Sequence, residues 1–125
     1  MGIGIVIDQY ARPSWKRTGY RYFPYAAEHR GAWWVLRLNM GFPEHNAYTL
    51  FVDGRAAVDL TGSAGSDIPL LASVHALGHA ALPALDPDIA RVVVGAVAQF
   101  VEYGSESDDP CPFCSTGRHG LTYQN

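Results

Sequence analysis

YTLFVDGRAAVDL, residues 48–60, is the stretch that decides the fold of this 125-residue chain. Two runs of strand-type residues flank the dipeptide Asp53-Gly54. A two-residue type I′ turn needs a positive φ at both central positions, and aspartate followed by glycine is well suited to it. The stretch therefore predicts a β-hairpin, whose two strands run antiparallel to each other.

The sequence upstream of this hairpin keeps the two-residue periodicity of β-strands. In AWWVLRLNM, residues 32–40, every second side chain from Trp34 onward is large and apolar, which places these side chains on one face of a strand. Pro24 confines the preceding YRYF to an edge strand or ends it. The isoleucines of residues 3–7 also alternate. An antiparallel sheet of about four to five strands is predicted within residues 3–60.

Downstream of the hairpin, the apolar periodicity changes from that of strands to that of helices. Apolar side chains three or four positions apart predict one helix over residues 67–82 and a second over residues 87–103. Asp86 is the expected N-cap of the second helix, and Pro87 suits its first helical position, where no amide donor is needed. Strands followed by helices favour an α+β domain, in which both helices pack on one face of the sheet.

The same periodicities predict the hydrophobic core. Trp34 rather than Trp33 is expected to face inward, and an error of one residue in the strand would invert every side chain. Apolar positions of the other strands and of the two helices complete the core. The predicted set is Trp34, Leu36, Leu38, Leu50, Val58, Leu71, Val74, Val93, Val97 and Phe100.

The composition is that of a globular protein, with 48% hydrophobic and 17% charged residues. The length predicts a single domain over residues 1–125, with residues 104–125 as an acidic linker and a candidate metal-binding tail.

No apolar run is long enough to span a membrane and the N-terminus lacks signal-peptide features, so a cytoplasmic location is expected. The single lysine among nine basic residues suggests a GC-rich bacterial genome. The sequence carries neither a phosphate loop nor a GxSxG nucleophile motif.

Cysteines and histidines are spaced as ligands of a metal ion would be. Cys111 and Cys114 have the two-residue spacing of a zinc knuckle, and a reducing cytoplasm disfavours a disulfide between them. His75 and His79 lie four positions apart, so they share one face of the first predicted helix. These four side chains would complete a tetrahedral structural zinc site, in which His119 is a substitute for either histidine.

Other interpretations of these residues stay open. The histidines also suit the border of a buried helix face, where they pack without metal, and the cysteines suit a tail with free thiols. HALGH, residues 75–79, is compatible with a metal-dependent hydrolase, although Ala76 stands where such helices carry the glutamate base. A thioredoxin-like dithiol is disfavoured, because the residues after Cys114 show no helical pattern that would activate a thiol.

Positive charge and aromatic side chains are concentrated in the first part of the chain. Residues 1–37 carry six basic and two acidic side chains, a net charge of +4. Residues 38–125 carry three basic and ten acidic side chains, a net charge of −7. Aromatic side chains at alternating positions of strands are often part of the hydrophobic core. Arginine beside aromatic rings, however, is typical of protein hot spots and of single-stranded nucleic-acid binding. An exposed partner-binding surface is predicted, formed by Arg12, Trp15, Lys16, Arg17 and Arg21.

These patterns predict a small bacterial protein that binds another macromolecule, most simply another protein, and that carries a structural zinc ion. Its general build, a sheet followed by two helices, is shared by many accessory and immunity proteins. A metal-dependent enzyme that uses His75 and His79 is the alternative. Nucleic-acid binding through the basic aromatic region is a minor alternative, because an acidic protein repels polyanions over a long range. No membrane association is expected.

Overall fold

The computed structural model describes residues 7–39, 46–63, 65–78 and 81–101. Within them, five strands form one antiparallel sheet in the order of the chain, which confirms the predicted α+β class. Residues 3–6 of the predicted first strand lie outside this part of the chain. The strands are β1 (Lys16–Arg17), β2 (Tyr25–His29), β3 (Ala32–Leu38), β4 (Tyr48–Val52) and β5 (Arg55–Leu60).

Two tight hairpins set the register of the sheet. The predicted hairpin is confirmed, since Asp53 and Gly54 alone connect β4 to β5 and have φ values of 48° and 83°. A second hairpin of the same kind joins β2 to β3 through Arg30 and Gly31, with φ values of 52° and 81°. The twist of such turns matches the twist of the strands that they connect. Strands β2 to β5 therefore form a continuous meander.

Each helix is shorter than its apolar pattern predicts. Helix α1 spans Pro69–His75 and continues as a 3-10 turn over Ala76–Gly78, and α2 spans Pro87–Gly95, with a 3-10 turn over Ala98–Phe100 after it. The predicted cap of α2 is confirmed, because the Asp86 carboxylate accepts hydrogen bonds from the backbone N–H groups two and three residues later. No helix of the described residues is long and apolar enough to cross a membrane.

The two helices cover opposite faces of the sheet. Side chains of α1 pack with Trp34, Leu36 and Leu50 in one buried cluster, whereas those of α2 pack with Val35 and Phe51 in the other. The predicted placement of both helices on one face is therefore wrong. Successive residues of β3 are large and apolar, so both faces of this central strand must be shielded from water, and one helix covers only one face.

The connection between the helices passes around the edge of the sheet at β1. The backbone N–H of Arg17 donates to the Pro83 carbonyl at 2.9 Å, and the N–H of Leu85 donates to the Arg17 carbonyl at 2.8 Å. These bonds form a short parallel bridge between Arg17 and Ala84. The crossover therefore satisfies edge groups of β1 that would otherwise be open to pairing with another chain.

Most of the predicted core is buried. Trp34 is buried as predicted, but the opposite face of β3 is buried as well, at Val35 and Arg37, so the strand has two buried faces rather than one. Val58 is the exception, because it is 40% exposed on the edge strand β5, next to an open groove that Leu70 and Leu71 also line. A β-bulge at Ala57 interrupts the pairing of this strand with β4. The remaining predicted positions are buried at Leu36, Leu50, Val74, Val93 and Val97 and half-buried at Leu38, Leu71 and Phe100.

Candidate functional site

The predicted hot-spot tryptophan is part of the core. Trp15 is only 4% exposed, packs in the cluster beneath α1, and donates a hydrogen bond from its indole Nε1 to Ser73 Oγ at 3.2 Å. The prediction that Trp15 is an exposed anchor for a partner is therefore wrong. Burial of a large indole against a helix stabilises the fold, and the single polar atom of the indole has its hydrogen-bond partner.

The cations of the predicted surface are exposed, as expected. Arg12, Lys16, Arg17 and Arg21 all lie at the surface, but Lys16 and Arg17 are neighbours on a strand and so point to opposite faces of the sheet. Arg17 donates from Nε to the Leu82 carbonyl at 3.0 Å, which ties its side chain to the crossover. Without Trp15 these cations lack the aromatic anchor of the predicted surface, and their role in binding stays a prediction.

The zinc hypothesis involves mostly residues that lie outside the described part of the chain, namely His79, Cys111, Cys114 and His119. His75 is the last residue of α1 and is exposed, with Ala76 after it in the 3-10 turn. Residues 7–39, 46–63, 65–78 and 81–101 contain no cluster of three or more His, Cys, Asp or Glu side chains that could hold a metal ion. The zinc site and the hydrolase alternative therefore stay predictions.

If the zinc site forms, the purified protein should carry about one equivalent of zinc, and a chelator should lower its melting temperature, since the ion binds only the folded state. Elemental analysis and thermal unfolding measure the two effects. His75→Ala should release the metal if the histidines of α1 are ligands. Release by His119→Ala alone would place the whole site within the tail, and a metal-free protein would contradict the hypothesis.

One groove of the described residues lies between α2 and the sheet, and we call it the α2 groove. It has a volume of about 580 Å³ and is partly open to solvent. Its walls are one flank of α2, the start of β3 and the β4–β5 turn. The residues that line it are Trp33, Val35, Asp53, Gly54, Asp88, Ile89, Val92, Val93 and Ala96.

Two large aliphatic side chains of α2 are exposed along this groove. Val92 is 73% exposed and Ile89 is 44% exposed, and their spacing of three residues places them side by side on the helix. The face of α2 that packs against the sheet is formed by Ala90, Val93 and Val94, which are buried. The helix is therefore apolar over a wider arc than its packing against the sheet needs.

Two carboxylates lie at the rim of the α2 groove. Asp53 occupies the β4–β5 turn, and its Oδ1 accepts a hydrogen bond from the backbone N–H of Trp33 at 2.9 Å. Asp88 lies in the first turn of α2 and is 2.6 Å from the guanidinium of Arg91. The groove thus combines an apolar floor with negative charge at its rim.

A buried polar cluster lies on the same face of the sheet. The fully buried Arg37 donates to Asn39 Oδ1 at 2.9 Å, to Thr49 Oγ1 at 2.8 Å and to the Phe100 carbonyl at 2.8 Å. Its guanidinium also lies over the ring of Phe51, 5.3 Å from the ring centroid. These contacts connect β3, β4 and the turn after α2, which is a structural role.

A pair of tyrosines on the other face gives no sign of acid–base chemistry. The rings of Tyr25 and Tyr48 pack edge to face with their centroids 6.4 Å apart. Burial raises the pKa of Tyr48, and the neighbouring Tyr25 raises it further. A tyrosine whose pKa is raised stays neutral at physiological pH, so it is a poorer general base than an ordinary tyrosine.

The α2 groove was not anticipated from the sequence, although one signal of it is visible there. The apolar pattern of α2 includes Ile89 and Val92 as well as Val93 and Val97, which is broader than a helix needs to cover one sheet.

Compared with protein-family models, curated proteins and solved structures, this chain gives no match.

Proposed function

We propose that this chain is a protein-binding module and that the α2 groove is its binding surface. The observation that carries the proposal is the exposure of Val92 and Ile89 beside a concave apolar wall. Contiguous apolar surface of this kind costs solvation free energy in water, and it commonly marks an interaction site. Trp33 lines the same groove and is half-buried, and tryptophan is enriched among residues that dominate binding energy.

The chemistry of the lining favours binding over catalysis. The described residues that line the groove include two aspartates but no serine, cysteine, histidine or lysine. A carboxylate can also act as a nucleophile, but Asp53 already accepts a hydrogen bond from the backbone N–H of Trp33, and Asp88 is paired with Arg91. A groove that is partly open to solvent also suits a segment of another protein better than a small molecule, because small-molecule sites bury most of their ligand.

The other features predicted from the sequence are compatible with a protein-binding module. A structural zinc ion held by the Cys/His set would stabilise the fold without taking part in binding. A bacterial, cytoplasmic setting remains the expected context. The exposed cations Arg12, Lys16 and Arg21 would then flank a separate surface on the N-terminal part of the chain.

Replacing Val92 with aspartate should weaken partner binding about tenfold or more, because a charge would enter the apolar floor of the interface. The fold should be retained, since this side chain is largely in solvent. A partner is captured from a lysate of the native organism with the unmodified chain, and its dissociation constant is then measured by calorimetry for each variant.

The matched control is Tyr10→Asp, which places the same charge at an apolar side chain of similar exposure, 70% against 73%, outside the groove. This control should bind like the unmodified chain. Loss of binding in Tyr10→Asp but not in Val92→Asp would contradict the proposal and favour the basic N-terminal region. Binding that falls steeply with salt to a partner that is nucleic acid would also contradict it.

A further inference from the structure

We infer that the segment bound in the α2 groove is basic and apolar, with Lys or Arg side chains on either side of a large apolar residue. This inference rests on the proposed function, since it names the chemistry of the partner at the same surface. It is carried by charge complementarity between such a segment and the rim of the groove.

The two carboxylates of the rim lie toward opposite ends of α2. Asp88 is in the first helical turn. Asp53 is in the β4–β5 turn, whose Gly54 packs against the other end of the helix, because a Cβ at that glycine would lie 3.8 Å from the Ala96 carbonyl oxygen. From residue 88 to residue 96 the helix axis advances roughly 12 Å, so the apolar floor lies between two negative charges.

Among the described residues, the charged side chains that line the groove are both acidic. The described residues that line the groove include no lysine or arginine. Arg91 does pair with Asp88, but this exposed pair spans three residues of one helix and is readily exchanged for another partner. The dipole of α2 places partial negative charge at its C-terminal end, on the side of Asp53, and partial positive charge at its N-terminal end, on the side of Asp88.

A segment that matches these features needs cations at its ends and a large apolar side chain between them. The apolar side chain would lie against Val92, Ile89 and Trp33, while the cations would reach the two aspartates. An acidic segment would meet the same carboxylates as like charges, which disfavours it strongly. The rim therefore selects among apolar partners, and it also raises the rate at which a basic partner arrives.

Two short synthetic peptides test the inference, one with a leucine pair flanked by lysines and one with the same pair flanked by glutamates. Each is titrated into the full chain and followed through the NMR methyl signals of Ile89 and Val92. The lysine peptide should shift these signals and the glutamate peptide should not. Binding of the lysine peptide should also weaken as salt rises.

The variant for this test is the double substitution Asp53→Asn and Asp88→Asn. Asparagine tolerates the positive φ of residue 53 and keeps an oxygen that can accept the Trp33 hydrogen bond, so the turn should persist. The double variant should bind the lysine peptide about fivefold more weakly, the loss of two exposed ion pairs. Asp67→Asn, at an exposed position outside the groove, should change nothing.

Three outcomes would overturn the inference. The first is equal binding of both peptides that is lost in Val92→Asp, and the second is failure of both peptides to bind. Either result would exclude a basic segment as the partner but would leave the proposed function standing. A dimer detected by light scattering that Val92→Asp dissociates would show that a second copy of the chain occupies the groove. By contrast, a native partner that still binds Val92→Asp would overturn the proposed function itself.

Discussion

Arg37→Ala should lower the free energy of unfolding by about 3 to 5 kcal/mol, because it empties a buried site and removes a hydrogen-bond donor from several polar groups. It removes a hydrogen bond from Asn39 Oδ1, from Thr49 Oγ1, which still accepts one from the Asn39 amide, and from the Phe100 carbonyl oxygen. The last of these belongs to the turn after α2, so the substitution should also loosen that turn from the sheet. Urea unfolding, followed by tryptophan fluorescence, measures the change.

The control for this experiment is Arg91→Ala, which removes an exposed arginine instead of a buried one. Arg91 is exposed and pairs with Asp88 across one helical turn. Exposed pairs of this type contribute at most about 1 kcal/mol. A cost for Arg37→Ala that is no larger than the cost for Arg91→Ala would show that the buried cluster does not hold the fold together as the structure indicates.

Gly62→Ala should destabilise the fold by about 3 kcal/mol, because the added methyl group has no room. A Cβ at this position would clash with the backbone nitrogen and the Cα of His75, at distances where real Cβ atoms are essentially never found. These are backbone atoms at the end of α1, so the clash cannot be relieved by rotating a side chain. The whole end of the helix would have to move away from β5.

Gly95→Ala provides the comparison, since a Cβ there would meet no atom within 4 Å. Alanine is favoured over glycine in a helix, so this substitution should stabilise the protein by about 0.5 kcal/mol. The two variants are measured side by side by thermal and urea unfolding. Equal and small effects at both positions would contradict the close approach of the residue 62 backbone to α1.

Several elements of the fold follow from residues that are close together in the sequence. The Asp53-Gly54 turn and the Asp86 cap with Pro87 are local structures, whose conformational requirements only a few residue types meet. Alternation along β3 also correctly predicted the burial of Trp34 and Leu36, but it did not predict the burial of Val35 and Arg37 on the opposite face. The second hairpin, at Arg30 and Gly31, was missed, since arginine is uncommon at a positive φ.

The candidate site was much less predictable than these elements. The sequence indicated a binding surface from arginines and aromatic rings before residue 38, and Trp15 was expected to be exposed there. The structure instead buries this tryptophan beneath α1, a contact between residues far apart in the chain. The exposed apolar surface lies on α2, which the sequence marked only by an apolar arc that is broader than usual.

The sequence by itself determined the α+β class, the hairpin at residues 53 and 54, the start of α2 and the burial of Trp34 and Leu36 on β3. Each depends on backbone preferences or periodicity within about ten residues, which no distant contact overrides. Only the tertiary structure decided which face each helix covers, and with it the burial of Trp15 and Arg37 and the exposure of Val92. Whether a side chain is buried depends on which elements pack against each other, and both faces of β3 are apolar enough to pack against a helix. Residues 82–85 run along β1 at the edge of the sheet, between the helix on one face and the helix on the other.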